Sequence, residues 1–429
     1  MSWDFQTDPE FAGKLAWATE FVKARIEPLE TLDLEHDDLL RIIAPLQDEV
    51  KANGLWAAHL TPELGGQGMG QVALALLHEV LGRTLYAPLV FGNNAPDSGN
   101  AELIALGGDQ HQKERWLYPL LAGTIRSGFS MTEPDSAGSD PTLLTTRAVR
   151  DGGDWVITGR KWFTSNGSIA DILIVMAVTD PDAAPHRRAS MFVVPRETPG
   201  VKVVRDVPTM DHPHAAFGRY GNHAEILYEE VRVPHGNLLG QVGDGFLLAQ
   251  KRLGPGRIHH AMRWIGQATR AFDMMCERAV SRFSHGSTLA DKQMVQTWIA
   301  DSYADLTQIR LLTLYAAWRM DQVGAEEART EIAMVKYSGA KVLHEIIDRA
   351  IQVHGALGFS TDMPLEFMYR KARQARLVDG ADEVHKVAVA RRVLRGYTPR
   401  DVPSEHIPTR RAAAAEQFAE ALEALESGE

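Results

Sequence analysis

The chain has 429 residues, 45% of them hydrophobic and 24% charged, which is typical of a globular protein and not of a disordered or fibrous one. At roughly 150 residues per domain, this length predicts two or three domains. The formal net charge of -11 argues against a protein that coats nucleic acid or anionic lipid. The longest apolar run, Ile172 to Val178, is far shorter than the ~20 residues that cross a bilayer.

Two further features concern the compartment. The first five residues, MSWDF, lack the basic and then apolar order of a signal peptide, so we expect a protein that is not exported. Cys276 is the only cysteine, which excludes an intrachain disulfide and a CxxC metal or redox site. Both observations favour the reducing cytoplasm.

Residues 1–124 predict a helical domain, because their apolar residues recur at helical spacing in three segments. The glycine-dense stretch at 64–70 follows no strand and lacks the spacing of a dinucleotide fingerprint, so we interpret it as a loop. The residues at helical spacing are Leu15, Phe21, Val22, Leu39, Ile42, Leu46, Val50, Val72, Leu76 and Val80.

Residues 125–240 predict a β domain. Short β-rich runs, punctuated by Pro and Gly, follow one another without helical segments between them, which favours an antiparallel barrel or sandwich. A doubly wound Rossmann-type dehydrogenase is disfavoured for the same reason. The runs lie at 155–157, 172–175, 191–194, 201–204 and 225–233.

Helical spacing returns in residues 241–396 and predicts a helix bundle. Residues 397–429 are interpreted as a tail, in which the Ala/Glu-rich stretch 411–426 favours a surface helix. The arginines between 391 and 411 make this region locally basic. Interleaved acidic residues indicate a solvated surface there, so nucleic acid binding is not expected.

Two motifs in the β domain carry the strongest functional signal. Residues 129–140 read FSMTEPDSAGSD and residues 159–167 read GRKWFTSNG. In this order and setting, they resemble the acyl-CoA dehydrogenase flavoprotein family, and the likeness runs from about residue 10 to residue 396. The resemblance implies an α+β fold with an N-terminal helical domain, a central antiparallel β-barrel or sandwich and a C-terminal four-helix bundle. It also implies FAD as the cofactor.

A flavin ring needs an apolar platform and hydrogen-bond donors at its polar edge. The resemblance places Ser139 near the CoA arm, although the loop from Thr132 to Ser139 is one residue longer than is common. Phe163 stands where the family usually has Trp. The alternative is that Met131 and Phe163 belong to the barrel core. The residues implied to contact the flavin ring are Phe129, Met131, Thr132, Phe163 and Ser165.

The resemblance also implies a second group of residues that contact the pyrophosphate and adenosine parts of FAD, some of them from a neighbouring subunit of a homodimer or homotetramer. Residues 282–286, RFSHG, resemble a stretch whose arginine binds the pyrophosphate of a neighbouring subunit, for which a forked guanidinium is suited. Residues 352–359, QVHGALGF, resemble a turn at the adenosine half. The alternatives are a solvated arginine at a helix end and a helix C-cap. The residues implied are Arg282, Ser284, Gln293, Gln352, Gly355, Ala381 and Glu383.

The segment 377–385, LVDGADEVH, carries the implied base. Most family members have Glu before the Gly, and here Asp379 occupies that slot, while the family's other base position holds Gly256. Gly380 and Arg257 are implied to lie beside the substrate. This Asp form resembles a branch with a reputed preference for longer or 4-substituted acyl chains. The alternative is that Asp379 only caps a helix.

The implied reaction is the FAD-dependent oxidation of an acyl-CoA to the 2-enoyl-CoA. A carboxylate takes the α-proton, the β-carbon gives hydride to flavin N5, and the backbone N-H of the base residue is one donor to the thioester oxygen. We expect burial to raise the pKa of Asp379. Electrons would pass to an electron-transferring flavoprotein.

Three alternatives arise, of which the first two remain open at this stage. The first is a flavin oxidase or monooxygenase on the same scaffold. The second is a non-catalytic FAD- or DNA-binding regulatory relative. The third is a metal site at the histidines of 211–214, 223 and 259–260, but these lack a third ligand at useful spacing, so no metal is expected.

Overall fold

The computed structural model describes residues 7–64 and 66–428, and the chain divides into two compact units with a boundary after Lys386. The expectation about a signal peptide concerns residues that lie outside this described part. Within the described part, no helix combines the length and the apolarity that a membrane crossing requires.

The N-terminal region is helical, as the apolar spacing predicts. Asp8 caps the first helix by accepting a hydrogen bond from the Phe11 N-H at 2.9 Å. In the second helix Ile43 is buried, whereas Ile42, which the spacing had assigned to the apolar face, is 40% exposed. The helices are α1 Pro9–Phe21, α2 His36–Ala52, α3 Gln71–Leu81, α4 Ala87–Val90, α5 Asp97–Gly107, α6 Gln110–Gln112 and α7 Tyr118–Ala122.

The middle region forms one eight-stranded sheet in the order β6-β7-β3-β2-β4-β5-β8, with β1 pairing to β4. Most neighbours are antiparallel, as expected, but β1 runs parallel to β4, and β2 meets β4 in parallel at Arg147 and Val178. Every β-rich run predicted from the sequence lies inside a strand. The strands are β1 Ser127–Ser130, β2 Arg147–Asp151, β3 Asp154–Ser165, β4 Ile172–Val178, β5 Ala189–Pro195, β6 Val201–Asp206, β7 His223–Pro234 and β8 Leu238–Leu239.

One irregularity of this sheet shapes the site. Along β3 and β7, Lys161 pairs with Ile226 and Thr164 pairs with Ala224, so β3 contains one residue more than β7 over this interval. Such a β-bulge bends the strand and re-aims a side chain. The extra residue lies beside Phe163, whose φ of +51° is in the left-handed region.

The C-terminal region is again helical. The helices α8, α9 and α10 pack against one another and against α3, and their apolar faces join those of the N-terminal helices in a single core. A short hairpin, β9 Phe283–Ser284 and β10 Ser287–Thr288, connects α8 to α9. The helices are α8 Gly245–Ser281, α9 Gln293–Glu327, α10 Arg329–His354, α11 Ala356–Phe359, α12 Leu365–Ala372 and α13 Asp382–Leu394.

The second unit contains two further helices, α14 Ile407–Gln417 and α15 Ala419–Ser427, whose residues are exposed. The predicted surface helix of the tail is therefore confirmed as two helices. The order of a helical N-terminal region, a middle β-sheet and a helical C-terminal region confirms the predicted fold class. The domain boundaries given by the sequence stay predictions.

Candidate active site

The centre of the site is the turn between α12 and α13. Asp379 and Gly380 are consecutive residues in the left-handed region, with φ of +55° and +97°. That conformation costs a non-glycine residue about 1 to 2 kcal/mol, and such strain is concentrated at functional sites. A Cβ added at Gly380 would lie 2.9 Å from His385 Nε2, so this position requires glycine.

The Asp379 carbonyl holds this turn in place. It accepts hydrogen bonds from Arg257 Nε at 3.2 Å, from Arg257 Nη2 at 3.1 Å and from His385 Nε2 at 3.1 Å. Burial, with Arg257 as the next cause, lowers the pKa of His385 to about 4, so this ring is a neutral donor at pH 7. Donors from α8 and α13 therefore fix the backbone while the carboxylate remains available.

The Asp379 carboxylate lies in a strongly positive environment. Its side chain is 23% exposed, and Oδ2 lies 3.5 Å from His260 Nε2. Burial alone would raise the pKa of Asp379, but His260 and the cations Arg252, Arg257 and Lys336 outweigh burial and hold it below its usual range. The expectation of a raised pKa is therefore wrong, and the carboxylate is ionised at pH 7. Sequence reasoning considered desolvation alone and missed the cations supplied by α8 and α10.

The alternative that Asp379 only caps a helix is also wrong. The Val384 N-H donates to the Ala381 carbonyl at 3.0 Å, which places Ala381 at the N-cap of α13, two residues after Asp379. The first turn of α13 is held instead by Asp382, which pairs with Arg376 at 2.8 Å and with Lys336 at 3.5 Å. Among the described residues, none accepts a hydrogen bond from the Asp379 N-H. That donor is free for a ligand next to the carboxylate.

One side chain connects the base to the β domain. The Arg252 guanidinium lies over the Phe129 ring, 4.1 Å from its centroid, and its charge acts on both Asp379 and Glu102 of α5. Its buried Nε has no hydrogen-bond partner among the described residues. Burial outweighs Arg252 and raises the pKa of Glu102 to about 8, so that carboxyl is protonated at pH 7. Arg252 is thus a cation whose charge acts on both Asp379 and a neutral acid.

A fully buried ion pair holds the segment that follows β1, residues 131–133. Lys161 Nζ donates to Glu133 Oε1 at 2.9 Å and to the Met131 carbonyl at 2.7 Å. Glu133 also accepts from the N-H groups of Thr145 and Thr146, and with Lys161 these lower its pKa to about 2 against the effect of burial. The backbone of the implied flavin contacts is therefore fixed by charge and hydrogen bonds.

Phe163 is 41% exposed, so the alternative that it belongs to the barrel core is wrong. Met131 is partly buried and packs at the edge of a core cluster, so for this residue the alternative holds in part. Ser165 Oγ lies 2.9 Å from His223 Nδ1 on β7. An open aromatic face beside a hydroxyl matches the apolar face and polar edge of a flavin ring, so these residues are compatible with the implied cofactor.

The remaining implied FAD contacts lie on the surface. Arg282 is exposed at the end of α8, Ser284 lies in β9, and Gln293 and Gln352 are exposed at the start of α9 and near the end of α10. Gly355 has a φ of +66° and is the C-cap of α10, so the C-cap alternative for this turn is confirmed. Within the described residues, no hydrogen bond or ion pair joins this set to Asp379 or Phe163. Ala381 and Glu383 flank the start of α13, and Ser139 is exposed in the loop after β1.

Sequence reasoning missed four residues of the site. Three of them are Arg252, His260 and Arg263, which lie on one face of α8 because they are separated by eight and then three residues. The fourth is Lys336, which is buried on α10. The available signal was the helical spacing of Arg252, His260 and Arg263 along α8. Among the described residues there is no group of three or more His, Cys, Asp or Glu side chains that could hold a metal.

Comparisons with known proteins identify the family of this chain. Acyl-CoA dehydrogenase FadE2 of Mycobacterium tuberculosis, named as probable, is 47% identical over 359 residues, which cover 82% of this chain and 86% of that protein. Acyl-CoA dehydrogenase family member 11 of Rattus norvegicus is 44% identical over 359 residues, but the chain spans only 45% of that longer protein. A solved structure from Mycobacterium abscessus, provisionally assigned as an acyl-CoA dehydrogenase, covers 92% of this chain with a TM-score of 0.86 and 39% identity, and all of that chain is matched.

The family models extend over most of the chain. Those for the N-terminal, middle and C-terminal domains of acyl-CoA dehydrogenase match residues 15–124, 128–219 and 243–394. Together with the 47% identity to the Mycobacterium tuberculosis protein, these matches show that the chain belongs to the acyl-CoA dehydrogenase family.

Proposed function

We propose that this oxidoreductase removes hydrogen from Cα and Cβ of an acyl-CoA thioester and that Asp379 is the base. The observation that carries the proposal is the Asp379 turn itself. Its backbone is strained and held by three donors, its carboxylate is ionised, and no described residue accepts a hydrogen bond from its own N-H. A carboxylate and an oxyanion donor from one residue are the two groups that enolate formation needs.

FAD is the cofactor of this family. In this chain Phe163, Met131 and Thr132 would hold the ring, with Ser165 at its polar edge. When bound, the flavin supplies the acceptor for the β-hydride. Arg282 and Gln352 would reach the cofactor of a neighbouring subunit, so we propose a homodimer or homotetramer. This arrangement explains why both side chains are exposed at the surface of the single chain.

The proton moves between the substrate and one carboxylate. The Asp379 carboxylate takes the proton from Cα, and the Asp379 N-H donates to the thioester oxygen on which the enolate charge forms. Binding of the thioester would remove the remaining 23% exposure of the side chain, which pushes the pKa of a carboxylate upward. An ionised base in the free enzyme thus becomes a stronger base once the substrate has covered it.

The acyl chain that suits this site carries a polar substituent. Arg252 lies over Phe129, its charge acts on both Asp379 and the protonated Glu102, and within the described residues its buried Nε has no hydrogen-bond partner. An unsubstituted chain would leave the buried Arg252 Nε without an acceptor, which is costly for a buried donor. This favours the 4-substituted chains among the medium to long or 4-substituted acyl groups that we propose, with electrons passing onward to an electron-transferring flavoprotein.

Anaerobic reduction of the bound flavin by a panel of CoA thioesters tests the proposal. In a panel that runs from short to long acyl-CoAs and includes 4-hydroxy forms, the medium, long and 4-hydroxy members should bleach the flavin, the 4-hydroxy forms most completely, whereas the free acids should not. A panel that leaves the flavin oxidised would contradict the proposal. Rapid oxygen consumption during turnover would instead favour an oxidase or monooxygenase on the same scaffold.

A further inference from the structure

We propose that His260 is a positioning residue for the base: as a neutral imidazole whose Nε2-H faces Asp379 Oδ2, it orients the carboxylate and does not accept the abstracted proton. This inference rests on the proposed role of Asp379. The starting observation is the distance of 3.5 Å between His260 Nε2 and Asp379 Oδ2, which joins α8 to the turn before α13.

The other ring nitrogen determines which proton His260 carries. Arg263 Nη2 lies 3.0 Å from His260 Nδ1. A guanidinium has only donors, so Nδ1 must accept and cannot carry a hydrogen. The single proton of the neutral ring is therefore on Nε2, the nitrogen that faces the carboxylate. Burial and the Arg263 charge also lower the pKa of His260 to about 4, which is consistent with a neutral ring at pH 7.

Arg263 is itself fixed, so the tautomer is not free to change. Its Nη1 donates to His78 Nδ1 at 3.1 Å and lies 3.4 Å from the Asn93 carbonyl. The His78 ring stacks on His259 with centroids 4.5 Å apart, and His259 Nε2 lies 3.2 Å from Gln71 Oε1. The network thus connects α8 to α3 and to the loop before α5.

This arrangement separates orientation from proton transfer. Nδ1 is occupied by Arg263 and Nε2 already carries a proton, so His260 has no lone pair with which to take a proton from Asp379. The α-proton therefore stays on the Asp379 carboxyl until the product leaves. An N-H donor favours the ionised carboxylate, so its removal should make Asp379 harder to ionise. The charged and titratable groups that act on Asp379 are Arg252, Arg257, His260 and Arg263 from α8, Lys336 from α10 and His385 from α13.

Two substitutions distinguish positioning from packing. In His260→Asn, the amide oxygen replaces Nδ1 and keeps the Arg263 bond, but the side chain is too short to reach Asp379. In His260→Gln, the amide nitrogen replaces Nε2 and keeps the donor to Asp379. A purely structural role, in which His260 only satisfies Arg263, is preserved best by Asn, whereas a positioning role is preserved by Gln.

The measurement is the limiting rate of anaerobic flavin reduction at saturating acyl-CoA, across the pH range in which the holoenzyme is stable. We expect the Gln variant to stay within about threefold of the parent and the Asn variant to fall about tenfold, with the ratio growing as the pH is lowered. His111→Asn, at an exposed position of α6 outside this network, is the control and should keep the parent's pH course. A Gln-to-Asn ratio near one at every pH would overturn the proposal.

Two further arms keep the test decisive. Asp379→Asn serves as the reference. If that variant reduces its flavin as fast as the parent, the proposed function fails. If Asp379→Asn is inactive but His260→Gln and His260→Asn reduce their flavin at equal rates, only the present inference is overturned. If the Asn variant does not fold, nitrogen-15 NMR of labelled histidine in the parent decides, with the His260 signal identified by its loss in His260→Gln. We expect the Nε2-H tautomer at pH 7. An imidazolium or an Nδ1-H tautomer would overturn the proposal.

Discussion

Replacing Lys161 by Met should strongly destabilise the protein and release its flavin. The Lys161 and Glu133 side chains are 0% and 1% exposed and lie 2.9 Å apart, so the substitution leaves a carboxylate buried without its counter-ion. Breaking such a pair from one side costs about 3 to 5 kcal/mol, far more than the 0 to 1 kcal/mol of an exposed pair. The Met131 carbonyl also loses its donor, so the segment implied to contact the flavin should loosen.

The assay is denaturant unfolding of the holoprotein, followed by far-UV circular dichroism and by flavin release. Lys202→Met is the matched control, because Lys202 pairs with Glu229 on the same sheet and both side chains are about half exposed. We expect a loss below about 1 kcal/mol there. In the double variant Lys161→Met with Glu133→Gln, both charges are gone and at least half of the lost stability should return. If Lys161→Met unfolds at the same denaturant concentration as Lys202→Met and keeps its flavin, the buried pair does not have the role argued above.

Three further predictions concern the turn, the histidines and the cofactor. Gly380→Ala would place a Cβ 2.9 Å from His385 Nε2, on a residue whose φ is +97°. Flavin reduction should therefore fall at least about tenfold while the protein keeps its FAD, which stopped-flow rates and flavin content would check. The free energy of unfolding should fall as the pH drops from about 6.5 to 4, by up to ~1.4 kcal/mol per unit for each histidine whose pKa is lowered in the folded protein, because the unfolded chain binds protons that the folded chain excludes. The same denaturant series at stepped pH would refute this by showing no slope. Arg282→Ala should weaken FAD binding by roughly ten- to a hundredfold through loss of a charge-assisted contact, and unchanged FAD retention on dilution would contradict its assignment. The histidines concerned, whose pKa burial lowers to about 4, are His59, His223, His260 and His385.

Local pattern predicted the elements whose residues are apolar in their own right. The runs at 172–175 and 191–194 lie in β4 and β5 and are buried along their whole length. β1 and β2 were not among the predicted runs, because SGFS and RAVRD lack a continuous apolar pattern and become strands by pairing with β4 and β3. Long-range pairing of this kind is not visible in a short window of sequence.

The site shows the same division. Family resemblance identified Asp379 and Phe163, but not their positive φ angles. At Asp379 that conformation is held by the donors to its carbonyl, and at Phe163 it accompanies the bulge of β3 against β7. Both features involve residues far away in the chain. The direction of the Asp379 pKa was predicted wrongly because Arg252 and Lys336 approach it from α8 and α10. Electrostatics at a buried group is the sum over all elements packed against it, so one segment of sequence cannot give its sign.

The central claim, that Asp379 takes the α-proton, is tested most directly by single-turnover flavin reduction in Asp379→Asn. The amide keeps the size of the side chain and removes only the base, so the variant should retain FAD and bind acyl-CoA while flavin reduction slows at least about a thousandfold, equivalent to ~4 kcal/mol of barrier. The same exchange at exposed Asp362 is the matched control and should leave the rate at the parent's value. Asp379→Glu restores a base with a longer reach and should recover an intermediate rate. If Asp379→Asn reduces its flavin about as fast as the parent, the proton goes to another group and the assignment of the base is wrong.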